Sequence, residues 1–193
     1  MSIVLASGSP RRLELLKKIG IDDFKVIADT SDEHITPGLS PEEQVCKLSL
    51  QKARNVASSC GKDDIIIAAD TLVYLDDEPL GKPDSRSDAE RMLKKLSDRM
   101  HSVYTGVTIF KGDTQISAVE KTDVYFREIS DSEISAYVET GEPMDKAGSY
   151  AAQGRAAVFI KRIEGDFFNV MGMPLCLLSV MLKDFGISVL TTE

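Results

Sequence analysis

Tryptophan is absent, histidine occurs twice and cysteine three times in 193 residues. These shortages exclude several routes to structure and chemistry. Cys46, Cys60 and Cys176 are an odd set without C-x-x-C spacing, so no disulfide framework is expected and the compartment reads as reducing cytoplasm. Cys46 and Cys176 fall in apolar helical stretches, where a free thiol ordinarily serves as a small core residue. With His34 and His101 the only imidazoles, a His/Cys zinc site is not expected, and neither has the context of a Ser/His/Asp triad. No apolar run approaches the roughly 20 residues of a membrane span. Met1 to Ala6 is too short and uncharged for a signal peptide. Positive charge is in deficit too: 23 Lys and Arg against 31 Asp and Glu give a net charge of −8. That balance argues against nucleic acid, and against an anionic membrane surface, as partner.

What is present describes one folded domain over residues 1–193. Apolar residues at 42% and charged residues at 28% match ordinary globular proteins, so a packed core is expected. Ile3 to Ala6 reads as a buried strand, and Ser7 to Pro10 as a turn into a helix from Pro10 to Ile19 closed by Gly20. Phe24, Val26 and Ala28 alternate as a second strand, followed by a polar loop from Thr30 to Leu39 and a helix from Pro41 to about Ser58. Ile65 to Ala69 is continuously apolar, as a central strand covered on both faces requires, and Thr71 to Leu75 extends it or starts a neighbour. A helix is expected near Asp88 to Leu96, then strands over Val103 to Phe110 and Gln115 to Phe126, then a helix from Asp131 to Thr140. Ala156 to Ile163 and Phe167 to Met171 read as strands, Pro174 to Phe185 as an apolar helix, and Ile187 to Leu190 as a last short strand. The result is a mixed α/β chain that is not a simple βαβ series.

The helix starts carry the first chemical clue. Ser40…Glu43, Ser87…Glu90 and Ser130…Glu133 each have capping-box spacing. The first helix departs from this: Ser9 suits the N-cap and Pro10 the first position, but Arg11 and Arg12 follow where acid is favoured. A strand, a Ser/Gly turn and a helix start form a recurring phosphate cradle, to which Ser7, Ser9, Arg11 and Arg12 would add donors. A solvated arginine pair on a surface turn is the other reading. Lys52 lies within the stripe of Val45, Leu48 and Val56, where a lysine either snorkels or meets a buried anion. Asp70 follows the most apolar strand, at a place where α/β sheets bind ligands and a carboxylate can hold a cation or steer water; a turn-opening Asp is the alternative. Glu33 adds an oxygen donor within the polar loop beside Asp29, Asp32 and His34. Gly81-Lys82-Pro83 presents a cation on a rigid turn, though no P-loop pattern exists. Asp145 to Gly154 is a small-residue loop, either a plain flexible connection or a segment in which the Gln153 amide reads a base edge.

In order along the chain stand Leu5-Ala6-Ser7-Gly8-Ser9-Pro10-Arg11-Arg12, the Glu33 loop, Lys52-Ala53, Ala69-Asp70-Thr71 and Gly81-Lys82-Pro83. Asp145-Lys146-Ala147-Gly148, Gln153-Gly154 and the run from Gly165 to Pro174 follow. This ordered set resembles the Maf family of nucleoside triphosphate pyrophosphatases over Ile3 to Leu178. The resemblance implies an α/β fold like that of inosine triphosphate pyrophosphatases: an elongated mixed sheet flanked by helices, with two lobes around a cleft. It implies hydrolysis of a nucleoside triphosphate to monophosphate and pyrophosphate with Mg²⁺ or Mn²⁺, in a homodimer. It assigns Asp70 as proton acceptor and associates Arg12, Thr71 and Gln153 with substrate choice. The D-K-A-G run followed by Tyr150 and Gln153-Gly154 is similar to the branch that prefers dTTP and UTP. Ala152, where a larger aliphatic residue is common, and Phe167, where Tyr is common, depart from that branch near Gln153.

On this reading Ser9, Arg11, Arg12, Lys52 and Lys82 gather the triphosphate around one metal held by Glu33 and Asp70, while Gln153 and Thr71 contact a pyrimidine. Asp70, Lys52 and Lys82 are the expected catalytic set. Two other readings compete: a nucleotide- or DNA-binding regulator of cell division without turnover, and a phosphatase that removes the terminal phosphate.

Overall fold

The run Ile65-Ile66-Ile67-Ala68-Ala69 is the middle of the protein's hydrogen-bonded framework. It starts strand β3 (Ile65–Leu75), in which every residue except Thr71 is buried. The computed structural model describes residues 1–31 and 34–190. Beside β3 lies β1 (Ile3–Leu5), which pairs in parallel with both β3 and β2 (Phe24–Val26), Ile3 facing Ile65 on one side and Phe24 on the other. On the other side of β3 come β5 (Met100–Lys111), β6 (Thr114–Phe126) and β7 (Ile160–Glu164), so the order is β2-β1-β3-β5-β6-β7. The short β4 (Glu78–Leu80) pairs antiparallel with the end of β3. Parallel and antiparallel pairs thus share one sheet, the mixed α/β arrangement expected.

Among the described residues six α-helices accompany the sheet: α1 (Pro10–Lys18), α2 (Pro41–Ala57), α3 (Arg86–Leu96), α4 (Asp131–Glu139), α5 (Phe167–Met171) and α6 (Leu175–Lys183). None of the described helices is long and apolar enough to cross a membrane. The chain divides into two compact units, Met1–Asp70 with Thr105–Glu120 and Gly172–Glu193, and Thr71–Tyr104 with Lys121–Met171. In the first, Ala53 and Val56 of α2 pack on Val4, Ala6, Ile66 and Ala68. In the second, α3 and α4 contribute Leu93, Leu96, Ile134 and Tyr137 to a core with Val73, Val103, Val124 and Phe126.

Several local expectations change. The Ser40 and Ser130 capping boxes form as written. The third does not: Ser85, two residues before Ser87, caps α3 by accepting the Asp88 N–H at 3.2 Å. That earlier start lets Ala89, Met92, Leu93 and Leu96 share one buried face. Phe167 to Met171 is helix and not strand, because Asp166 Oδ1 accepts the Phe168 N–H at 2.7 Å and opens a turn. Arg155–Phe159 is a 3-10 helix, so only the end of the Ala156–Ile163 expectation is strand. Ile187 to Leu190 forms no strand. Cys176 is exposed and not a core thiol, since it lies on the outer side of α6, whose inner side is Leu175, Leu178, Met181 and Leu182.

Helix α2 lies against the sheet at Gly106 in β5. A Cβ there would fall on the Val45 carbonyl of α2 and 2.9 Å from the Cys46 nitrogen. Those are backbone atoms, so no rotamer change relieves the overlap. Gly106→Ala is expected to lower stability by about 3 kcal/mol, read from the urea midpoint. An unchanged midpoint would refute this account of the packing.

Candidate active site

The turn between β1 and α1 is built for donors. Ser9 is the N-cap residue by backbone angle, but its side chain makes no cap hydrogen bond, and no acid lies in the first turn. Ser9 therefore does not supply the side-chain cap that Ser40, Ser85 and Ser130 give to α2, α3 and α4. Ser7 is buried, and its hydroxyl accepts from the Ser9 N–H at 3.3 Å and from Arg12 Nη1 at 3.2 Å. Arg12 Nε donates to the Gly172 carbonyl at 2.8 Å. Of the two readings left open for the arginine pair, free solvation does not describe Arg12, which is half-buried and tied at both ends of its guanidinium. Arg11 is half-buried as well.

Lys52 and Asp70 form the second group. Lys52 lies on α2 between the buried Leu48 and Val56, as the stripe implied. It does not simply snorkel: its Nζ forms an ion pair with Asp70 Oδ1, the two side chains being 11% and 3% exposed. Asp70 Oδ2 is buried and has no hydrogen-bond partner among the described residues. Asp70 does not end its strand; β3 continues to Leu75. What places the carboxylate is strand alternation, which puts Asp70 on the face of Ile66 and Ala68, where α2 lies.

A network of polar residues beside this group was not foreseen. Asn55 Nδ2, one turn after Lys52, donates to Ser31 Oγ at 3.0 Å and to Asp29 Oδ1 at 3.3 Å, and Ser31 Oγ donates to Asp29 Oδ2 at 2.7 Å. Burial pushes the Asp29 carboxyl upward, but hydrogen bonds from Ser31 and Asn55 and the charge of Lys52 outweigh it, so it lies below the ordinary range. Gln44, 1% exposed, accepts the Thr36 N–H at 2.8 Å and donates to the His34 carbonyl at 3.1 Å. Ser31 near the start of the 30–39 loop, and His34 and Thr36 within it, are thus fastened to α2. Glu33 and Asp32, within that loop, lie outside the described residues.

Thr71, Lys82 and Gln153 belong to the second unit. Alternation puts Thr71 on the opposite face of β3 from Asp70 and on the same face as Val73. Gly148 packs on Val73, and the Gly148 N–H donates to the Gly81 carbonyl at 3.1 Å. The Gly81-Lys82 turn and the small-residue loop are therefore joined, and Lys82 and Gln153 are both exposed. Ala152 is buried in the core of this unit.

Among the described residues no three His, Cys, Asp or Glu side chains cluster as a complete metal cage. A divalent ion such as Mg²⁺ does not need one, since it keeps waters and takes one or two carboxylates plus substrate phosphates. The orphaned Asp70 Oδ2 fits such a ligand.

A family model described as Maf-like protein matches residues 2–185. The chain is 50% identical over 189 residues to a dTTP/UTP pyrophosphatase of Methanosarcina mazei, covering 97% of this chain and 95% of the relative. A dTTP/UTP pyrophosphatase of Methanosarcina barkeri is 48% identical with the same two coverages. A solved HAM1 protein from Coxiella burnetii superposes with a TM-score of 0.52 at 19% identity, over 95% of this chain and 99% of that one. That similarity concerns the fold, and it agrees with the inosine triphosphate pyrophosphatase-like class expected.

Proposed function

This chain belongs to the Maf family, and from that premise we propose that it hydrolyses nucleoside triphosphates, dTTP and UTP foremost, to monophosphate and pyrophosphate. The observation that carries the reading is the buried Asp70 carboxylate, held at one oxygen by Lys52 with the other oxygen left open. Water attacks the α-phosphorus, the bond to the α–β bridging oxygen breaks, and pyrophosphate leaves. The Asp70 carboxylate orients the water and takes its proton. Lys52 fixes the carboxylate rotamer, so the acceptor is positioned before substrate arrives. Ser9, Arg11, Arg12 and Lys82 bind the triphosphate and meet charge that develops on the phosphoryl oxygens and the leaving pyrophosphate. The α1 N–H groups add fixed donors. Asp70 and Glu33 would hold Mg²⁺ or Mn²⁺, which would supply Lewis-acid neutralisation of the phosphates when bound. Gln153 and Thr71 contact the pyrimidine. The reading takes residues 1–193 as one catalytic domain acting as a homodimer in the cytoplasm, with neither nucleic acid nor membrane as partner.

Product identity tests it. With UTP or dTTP and Mg²⁺ or Mn²⁺, pyrophosphate and monophosphate are expected in equal amounts, and excess chelator is expected to stop their release. Orthophosphate with diphosphate would overturn the reaction assigned here. Binding of nucleotide without any product would overturn the enzyme reading in favour of a regulator.

A further inference from the structure

Gln153 is exposed, yet the backbone on each side of it is held by side chains from outside its loop. On the N-terminal side, the Ala151 N–H donates to the Tyr137 hydroxyl of α4 at 3.2 Å. On the C-terminal side, the Arg155 N–H is shared by Glu142 Oε1 at 3.1 Å and Oε2 at 3.2 Å. The two anchors are joined, because the Tyr137 hydroxyl donates to Glu142 Oε1 at 2.8 Å. One hydroxyl and one carboxylate therefore bracket the segment 151–155. The Gly154 N–H closes a turn on the Ala151 carbonyl at 2.9 Å inside the bracket.

Two further features show that the bracket is stiff. Tyr137 is 4% exposed and its ring meets Phe159 edge-on at 5.4 Å, so its hydroxyl cannot wander. The Glu142 carboxylate lies directly against Gly154: a Cβ at residue 154 would fall 2.6 Å from Glu142 Cδ. Any side chain at 154 would displace the carboxylate.

We propose that Tyr137 and Glu142 are positioning residues for base selection: together they fix the backbone on both sides of Gln153 and so the point from which its amide meets the pyrimidine. This rests on the reading above that Gln153 contacts the base. A side-chain amide discriminates by the direction of its donors and acceptor. A loop free to shift by an ångström would keep the amide and lose the direction.

The test measures kcat/KM for pyrophosphate release from UTP and from ATP, with the full chain and Mg²⁺. The variants are Tyr137→Phe, Glu142→Ala, Glu142→Gln, Gly154→Ala, Gln153→Ala and the pair Tyr137→Phe/Gln153→Ala. Tyr137→Phe, Glu142→Ala and Gly154→Ala are each expected to cut the UTP-to-ATP preference by about tenfold, mainly through a higher KM for UTP. Glu142→Gln keeps an acceptor oxygen and is expected to keep most of the preference. The paired variant is expected to be no less selective than Gln153→Ala alone, since both changes remove one interaction. Thermal unfolding checks that each variant is folded, and Tyr137→Phe, which removes one atom, decides the matter if Glu142→Ala does not fold. If Gln153→Ala loses the preference while folded Tyr137→Phe and Gly154→Ala keep it, the bracket is merely structural and the proposal fails alone. If Gln153→Ala keeps the preference, or the unaltered chain shows none, the base-contact reading fails and takes the proposal with it.

Discussion

Replacing Asp70 by Asn is expected to slow pyrophosphate release by about 10²-fold or more. Asn has the shape of Asp and can still accept from Lys52, so the rotamer and the local packing persist. What goes is a charged oxygen able to take a proton from water. Asp70 is 2% exposed and its open oxygen has no hydrogen-bond partner among the described residues, so no neighbour substitutes for it there. Asp70→Asn also leaves the Lys52 ammonium, 11% exposed, beside a neutral amide. Breaking a buried pair at one partner costs about 3–5 kcal/mol when the remaining charge is fully enclosed, and less where it reaches water as Lys52 partly does. A lower melting temperature is therefore expected alongside lost activity, and the two need separating. The double variant Lys52→Met/Asp70→Asn removes both charges and is expected to regain stability without regaining turnover. Near-normal turnover by a folded Asp70→Asn protein would reject Asp70 as the proton acceptor.

The elements written most clearly in the sequence are those with a repeated local signal. Ser40 with Glu43 and Ser130 with Glu133 start helices because both halves of each box find backbone donors. The apolar run before Asp70 is a central strand because only burial on both faces suits it. Phe167 to Met171 is misread because four apolar residues around Asn169 fit a buried strand and a buried helical turn equally well. The deciding contact, Asp166 Oδ1 to the Phe168 N–H, depends on Asp166 being held in turn, its N–H and carbonyl both bonded to Thr122 Oγ1 at 3.0 Å. Thr122 is 44 residues away in the chain, which no local window contains.

The candidate site divides in the same way. Lys52 in an apolar stripe is compatible with snorkelling and with a buried anion, and the ion pair with Asp70 selects the second. Thr71 carries no such signal. It follows Asp70 directly, yet pleating separates the two side chains onto opposite faces of β3. Glu142 and Tyr137 act through backbone groups of residues 151 and 155, and hydrogen bonds to backbone leave no pattern in side-chain spacing. His101, without any motif, is the other residue whose importance appears only in three dimensions.

His101 is expected to make the protein acid-sensitive well above the carboxylate range. It is 1% exposed, with Nε2 2.8 Å from the Tyr150 hydroxyl and its ring edge-on to Phe126 at 4.9 Å. Burial lowers its pKa from 6.5 to about 3, with the charge of Asp123 opposing only in part. The unfolded chain takes up a proton on this residue below pH 6.5, while the folded chain does not until about pH 3. Between those values the unfolded state binds more protons, so stability is full above the window and is lost as pH falls through it. One proton corresponds to about 1.4 kcal/mol per pH unit, or about 5 kcal/mol across the window, comparable with the whole net stability of many domains. Glu133, whose carboxyl is lowered to about 2 by hydrogen bonds from Arg127 and Ser130, adds its own loss only below its ordinary value of 4.5. The range from pH 6.5 to 4.5 therefore isolates His101 from that carboxylate. His101→Gln keeps a polar group for Tyr150 and removes the titration. Urea unfolding from pH 7 to 4.5 is expected to show wild-type stability falling about 1.4 kcal/mol per pH unit more steeply than that of the Gln variant. Parallel curves would mean that folded His101 takes up its proton over the same pH range as the unfolded chain does, and the Tyr150 contact would then have to be redrawn around an imidazolium.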